Sequence, residues 1–136
     1  MLYLDASALV KLLLPEAESA ALAAHVANRD VISCELALAE VPRAITHKCA
    51  DLADEEQQAL WTATAELLDD LPMVRVNRDL LTAAGLVVAP ARLRSLDAIH
   101  LAAALSQAAE LDAFVTYDAR QAAAAAAHEL PVEAPA

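Results

Sequence analysis

The segment 1-MLYLDASALVKLLLP-15 decides how this chain is read. Residues 2–4 form a short apolar run that ends at Asp5. Residues 7–14 then carry a helical pattern that stops before Pro15, whose ring lacks an N–H and crowds the preceding turn. The same order returns near the other end, in 113-AFVTYDARQAAAAAA-127. An apolar strand over 113–117 leads through Asp118 into a helix over 120–129, and its run of alanines has the highest helix propensity of any residue. Between these segments, helices are expected at 18–29, 35–49, 54–70, 78–88 and 95–109, and strands at 31–33 and 73–76. A last edge strand is expected at 131–133. The helices over 35–49 and 54–70 should form an α-hairpin.

Short strands separated by helices predict an α/β fold, with a mostly parallel sheet covered on both faces. At 136 residues the chain is one domain, long enough to bury a core without disulfides or structural metal. Hydrophobic residues make up 59% but aromatics only 3%, so that core must be built from Ala, Leu and Val. A mean hydropathy of +0.41 is high. No uncharged apolar run nevertheless approaches the roughly 18 residues of a spanning helix, so no membrane association is expected. The N-terminus lacks the basic start of a signal peptide, and Asp5 and Lys11 interrupt its apolar run. Cys34 and Cys49 would lie about 20 Å apart along one helix, too far to bridge. A reducing, cytoplasmic setting is the natural expectation. The net charge of −11 argues against generic nucleic-acid binding through a basic surface, and favours cations and basic partners.

In open parallel sheets, ligands bind beyond the carboxyl ends of the strands. The residues that follow strands here include two carboxylates, Asp5 and Asp118. Two more stand in apolar helical contexts: Glu40 in ELALAEVPRA and Asp97 in LRSLDAIHLAAAL. Each Asp also lies at a predicted helix start, where capping is a sufficient reason for it; Ser7 and Ser95 offer alternative caps. Glu40 falls at the edge of the apolar stripe Ala37, Leu38, Val41, Ala44 and Ile45, on one face with Arg43 and His47, whereas Glu35 points away as a solvated residue. Converging carboxylates repel one another unless a cation joins them. An all-oxygen set favours Mg²⁺, with Mn²⁺ able to substitute, over zinc or copper.

The segments LYLDASALVKLLLPE, LALAEVPRA, LRSLDAIHLAAAL and FVTYDARQAAAAAAHELPVEAP, in this order and spacing, resemble the PIN-domain family, specifically the VapC-type toxin ribonucleases. The resemblance runs nearly end to end. It implies a single PIN-like α/β/α sandwich over residues 1–136. It further implies metal-dependent endoribonuclease chemistry, with Asp5, Glu40, Asp97 and Asp118 as the catalytic, metal-binding acids and Ser7 and Thr116 hydrogen-bonding beside them. Lys11, Arg43, Arg92, Arg94 and Arg120 fall near the acids in sequence and are candidate contacts to RNA. Partners implied are an RNA substrate, a VapB-like antitoxin that covers the acidic pocket, and a homodimer or toxin–antitoxin hetero-oligomer. The apolar residues Leu9, Leu12, Leu13, Leu14, Leu22 and Val26 are candidates for such contacts, with core packing the safer expectation for most.

Pro42 departs from the family pattern, because a proline two residues after Glu40 is expected to kink the helix and re-aim the carboxylate. His100 shares a helical face with Asp97, but a buried histidine bonded to backbone is the simpler expectation. The main alternative is a catalytically weak PIN-like binding or scaffold module. A phosphotransferase of the haloacid-dehalogenase kind is disfavoured, because Ser7 stands where its second aspartate belongs.

Overall fold

The computed structural model describes residues 1–90 and 92–136. Its elements run β1 (Leu2–Leu4), α1 (Ala6–Leu13), α2 (Ser19–Val26), β2 (Val31–Cys34), α3 (Ala37–Lys48), α4 (Asp54–Asp70), β3 (Met73–Val74), α5 (Arg78–Gly85), α6 (Ser95–Leu105), β4 (Ala113–Val115), α7 (Ala119–Ala127) and β5 (Val132–Glu133). The strands form one five-stranded sheet in the order β3-β2-β1-β4-β5, and every pairing is parallel.

Strand periodicity divides the sheet between two cores. Leu2, Leu4, Ala113 and Val115 face one side, where they pack with Leu9, Leu22, Val41 and Ile45. Tyr3 and Phe114 face the other, against the alanines of α6 and α7. Their rings stack at 5.3 Å with an 8° interplanar angle. Ala102–Ala104 and Ala124–Ala125 are buried, and such small side chains let their helices sit close to the sheet. The two layers of helices and the sheet between them make the expected α/β/α sandwich.

The register of the two central strands places the site. Leu2, Tyr3 and Leu4 lie opposite Ala113, Phe114 and Val115. The Asp5 N–H then donates to the Val115 carbonyl at 3.3 Å. Asp5 and Thr116 therefore leave the sheet side by side.

Several local expectations change. α3 continues unbroken through Pro42. The proline sits near the helix start, and Leu38, whose carbonyl it deprives of a partner, is 51% exposed to solvent. The helix expected over 95–109 stops at Leu105, followed by a 3₁₀ turn at Ala108–Glu110. That over 78–88 stops at Gly85. Glu35 is no free surface charge: its carboxylate accepts the Val76 N–H at 2.9 Å and ties the exit of β2 to that of β3.

Leu9 and Leu22 are core residues. Leu9, Leu12, Leu13 and Val26 border a cavity of about 900 Å³, shared with Leu67 and Leu71 of the α4 region. Met1 and Val31 also line it, so it lies at the end of the sheet opposite Asp5. Among the described residues, no helix is long and apolar enough to cross a membrane.

Candidate active site

Asp5 is a cap and the candidate acid at the end of β1. It is the N-cap of α1, and Oδ1 accepts the Ala8 N–H at 2.9 Å. The Ser7 hydroxyl donates to the same oxygen at 2.6 Å, and the Thr116 hydroxyl donates to Oδ2. Each hydroxyl is itself aimed by the backbone. The Tyr117 N–H donates to Ser7 Oγ at 3.0 Å, and the Asp118 N–H donates to Thr116 Oγ1 at 3.1 Å. With those lone pairs occupied, both hydroxyl protons point at the carboxylate. Asp5 is only 2% exposed. Burial pushes its carboxyl above the usual aspartate range, and the Ser7, Thr116 and Ala8 donors pull it back only in part.

Asp118 is likewise a true N-cap, of α7, its Oδ1 accepting the Arg120 and Gln121 N–H groups at 2.8 and 3.1 Å. Asp97 is not a cap. The helix begins at Ser95, as expected, with Arg94 at the cap position, so Asp97 is its third residue. Asp97 is buried in the first turn, and the Arg94 side chain folds back onto it, donating from Nε at 2.8 Å. The other end of the same guanidinium lies 3.6 Å from Asp118. A neighbouring tie links the two helices, as Gln121 Nε2 donates to the Asp97 carbonyl at 3.3 Å.

Glu40 reaches the site from α3, across the groove. Its Oε2 lies 2.7 Å from Nε2 of His100, a residue one helical turn beyond Asp97 on α6. The His100 ring is 2% exposed and does not bond to backbone as expected. Its Nδ1 meets the Tyr3 hydroxyl at 2.9 Å and the Cys34 sulfur at 3.6 Å. Burial alone would push the ring's pKa down. The Cys34 and Glu40 groups on its two nitrogens outweigh that and push it up.

Asp97 and Asp118 thus share Arg94, Thr116 joins Asp5 to the Asp118 backbone, and Glu40 is tied to His100, yet the four acids do not close on one point. Among the described residues, no group of three or more His, Cys, Asp or Glu side chains is arranged to hold a metal. Arg94 occupies the cationic role instead, and the buried side-chain polar atoms described all have partners. The donor chemistry still suits a hard divalent cation. It is all carboxylate oxygen, and one member, Asp5, is a deeply buried anion with no ion-pair partner of its own among the described residues.

The basic residues separate into different roles. Arg43 is exposed and lines a cavity of about 470 Å³ with Ser7, Glu40 and Leu96. Lys11 and Lys48 border the same space, and the sequence did not single out Lys48. Lys11 is already engaged, paired with Glu16 and Glu18 and set over the Tyr117 ring at 4.7 Å. Arg120 is exposed just past Asp118, whereas Arg92 borders a different cavity with Leu81 and Ile99. Lys48, Tyr3, Cys34 and the bond between His100 and Glu40 were missed. For His100, the three-residue spacing from Asp97 was the one visible signal.

A profile of the PIN domain matches residues 2–127. This chain belongs to the PIN-domain family. It is 38% identical over 135 residues to Ribonuclease VapC46 of Mycobacterium tuberculosis, covering 98% of this chain and 97% of that protein. It is also 37% identical over 125 residues to Ribonuclease VapC47 of the same species, covering 88% and 86%. These relatives place this PIN domain in the VapC branch. A PIN-type fold also relates it to the crystal structure of FitAcB from Neisseria gonorrhoeae, with a TM-score of 0.69 over 97% of this chain and 96% of that one, at 15% identity.

Proposed function

We propose that this PIN domain, a single domain over residues 1–136, is a metal-dependent endoribonuclease toxin that hydrolyses RNA phosphodiester bonds. The observation that carries the reading is Asp5: a buried carboxylate at the carboxyl ends of the two central strands, fixed by two aimed hydroxyls. Asp97 and Asp118, bridged by Arg94, and Glu40, bonded to His100, are the three further acids of the reading. Asp5 and Asp97 would hold Mg²⁺ or Mn²⁺ directly, and Glu40 and Asp118 would complete the set. The cation would supply a bound water of lowered pKa and offset charge in the transition state.

The chain's own groups do the rest. Ser7 and Thr116 keep the Asp5 carboxylate in one orientation, with both oxygens presented. Asp118 keeps Oδ2 toward the groove, because Oδ1 is spent on the cap. The Arg94 side chain is 63% exposed and long enough to leave the acids and take a substrate phosphate. Arg43 lines the open side and offers a further phosphate contact, while Lys48 beside it is paired with Glu16. Trp61 lies on α4 and Tyr3 and Phe114 in the core, and the ring of half-buried Tyr117, beside Asp118, is covered by Lys11 and tied through its hydroxyl to the Pro135 carbonyl, so recognition rests on the shape of the RNA backbone rather than on base stacking.

A cytoplasmic toxin of this kind needs restraint. A VapB-like antitoxin with a basic segment complements the charge of −11, and a homodimer or toxin–antitoxin hetero-oligomer would cover the remaining apolar surface. The competing reading is a PIN-like binding module. It is favoured by one observation, that Arg94 and His100 already occupy three of the acids.

Cleavage of structured RNA by antitoxin-free protein separates the two, with Mg²⁺, Mn²⁺ or EDTA and with folded Asp5→Asn and Asp97→Asn variants in parallel. Metal-dependent cutting lost in both variants is expected. Intact RNA in every lane, despite stabilisation by metal, would favour the binding module. Cutting that survives EDTA and both substitutions would overturn the mechanism.

A further inference from the structure

Glu40 differs from the other acids in how it is held. Asp5 and Asp118 are fixed at strand exits by their own helix starts, and Asp97 lies on a buried turn packed under Arg94. Glu40 stands on a different helix, its side chain 22% exposed, and His100 is the partner recorded for it. That one bond joins residues 60 apart in sequence.

The ring that makes it is unusually well fixed. A carboxylate only accepts, so His100 Nε2 must carry the proton. Nδ1 is then supplied from the other side by the Tyr3 hydroxyl. Tyr3 packs edge-on to the imidazole, 6.0 Å between centroids at 80°, and stacks flat on Phe114 of the neighbouring strand. Tyr3 is also the residue two before Asp5, on the same strand. A rigid line therefore runs from β1 through the ring on α6 to the carboxylate on α3. It needs no charge on the imidazole, since the neutral Nε2–H form makes both bonds.

We propose that His100 is a positioning residue of this site, whose Nε2–H holds the Glu40 carboxylate toward the other acids while Tyr3 holds the ring. This rests on the reading of the acids as a metal site. It also accounts for how Glu40 keeps its aim two residues from Pro42.

The test uses full-length protein and Mn²⁺ alone, without RNA. Groups that orient metal ligands typically change affinity by about 10–100-fold when removed. His100→Ala and Glu40→Gln should each weaken Mn²⁺ binding by about tenfold, and the double variant should lose no more than either alone. His100→Gln, whose amide can donate from nearly the same point, should recover most of the loss. Tyr3→Phe should give a smaller loss. Nitrogen NMR of the imidazole should show the proton on Nε2, with a resonance that moves in Glu40→Gln. Losses that multiply in the double variant, wild-type affinity in folded His100→Ala, or a proton on Nδ1 alone would each overturn the proposal. Should His100→Ala fail to fold, His100→Gln, Tyr3→Phe and the nitrogen spectrum decide it by the same criteria. Asp5→Asn separates the two readings. If it abolishes Mn²⁺ binding while folded His100→Ala keeps wild-type affinity, positioning alone is wrong. If wild-type protein binds no Mn²⁺ near Asp5, the metal site is wrong, and this role of His100 goes with it.

Discussion

Within the proposed site, Asp5 and Glu40 are secured in opposite ways. Asp5 is held by neighbours: Ser7 and Ala8 from its own first turn, and Thr116 from the adjoining strand. Its geometry follows almost automatically once two central strands pair. Glu40 hangs on one long-range bond to a histidine whose own anchor lies on β1. The strand-end half of the site is a by-product of the sheet. The helix side is joined past the end of the sheet, by one bond between α3 on one face and α6 on the other.

That difference sets an order of sensitivity. Asp5→Asn should produce the largest effect, a loss of RNA cleavage of at least about 10²-fold, because it would remove a central charged oxygen ligand of the proposed metal site. Thermal melting of the metal-free protein should not fall in parallel, since burying Asp5 as an anion is already costly. A parallel collapse of stability would mean that Asp5 matters chiefly as a cap.

Ser7→Ala and Thr116→Val come next. Each leaves an Asp5 oxygen short of a donor and strands the N–H of Tyr117 or Asp118. A loss of about 1–3 kcal/mol in denaturant unfolding is expected for each, along with weaker cleavage. Neutral behaviour of both would break the claim that the strand-end half is rigidly specified.

Arg94→Ala tests the cation that the acids hold in its place. Released competition of about 0.5–1 kcal/mol should tighten Mn²⁺ binding about two- to fivefold in calorimetry, while RNA affinity falls. Weaker Mn²⁺ binding would show instead that Arg94 organises the acids rather than competing with metal.

The smallest effect lies at the rim. Lys11 and Lys48 hold the Glu16 carboxyl down from its usual 4.5 to about 2. A lowered carboxylate stabilises the fold above its unfolded value and loses that contribution as pH falls through the folded one. Glu16→Gln should therefore lower stability at pH 7 by about 0.5–1 kcal/mol. The difference should shrink steadily below pH 4.5 and vanish near pH 2. A gap independent of pH would assign the loss to packing.

The same contrast explains what the sequence made legible. Strand, acid and helix follow one another at Asp5 and at Asp118, so local pattern and the strand-end rule found both, and pairing of the two strands did the rest. The parallel sheet followed from the alternation of elements. Asp97 was recognisable as special, but not as what it is. Its helix starts at Ser95, as the pattern over 95–109 predicts, and Asp97 lies inside the first turn, paired with Arg94, rather than capping it. The expected kink at Pro42 is absent, since a proline so near a helix start costs one exposed carbonyl its partner and little else. His100 was the hardest to place. Its partners Tyr3 and Glu40 lie 97 and 60 residues away, and no periodicity carries information over that range.

The central claim is that four acids on separate elements form one cation site, now occupied by a guanidinium. A crystal structure of the protein grown with Mn²⁺, read by anomalous scattering, addresses it directly. The account predicts a peak bonded to Asp5 and Asp97, with Arg94 displaced from Asp97. Saturating Mn²⁺ with no peak at these carboxylates, and Arg94 still bridging Asp97 and Asp118, would contradict it.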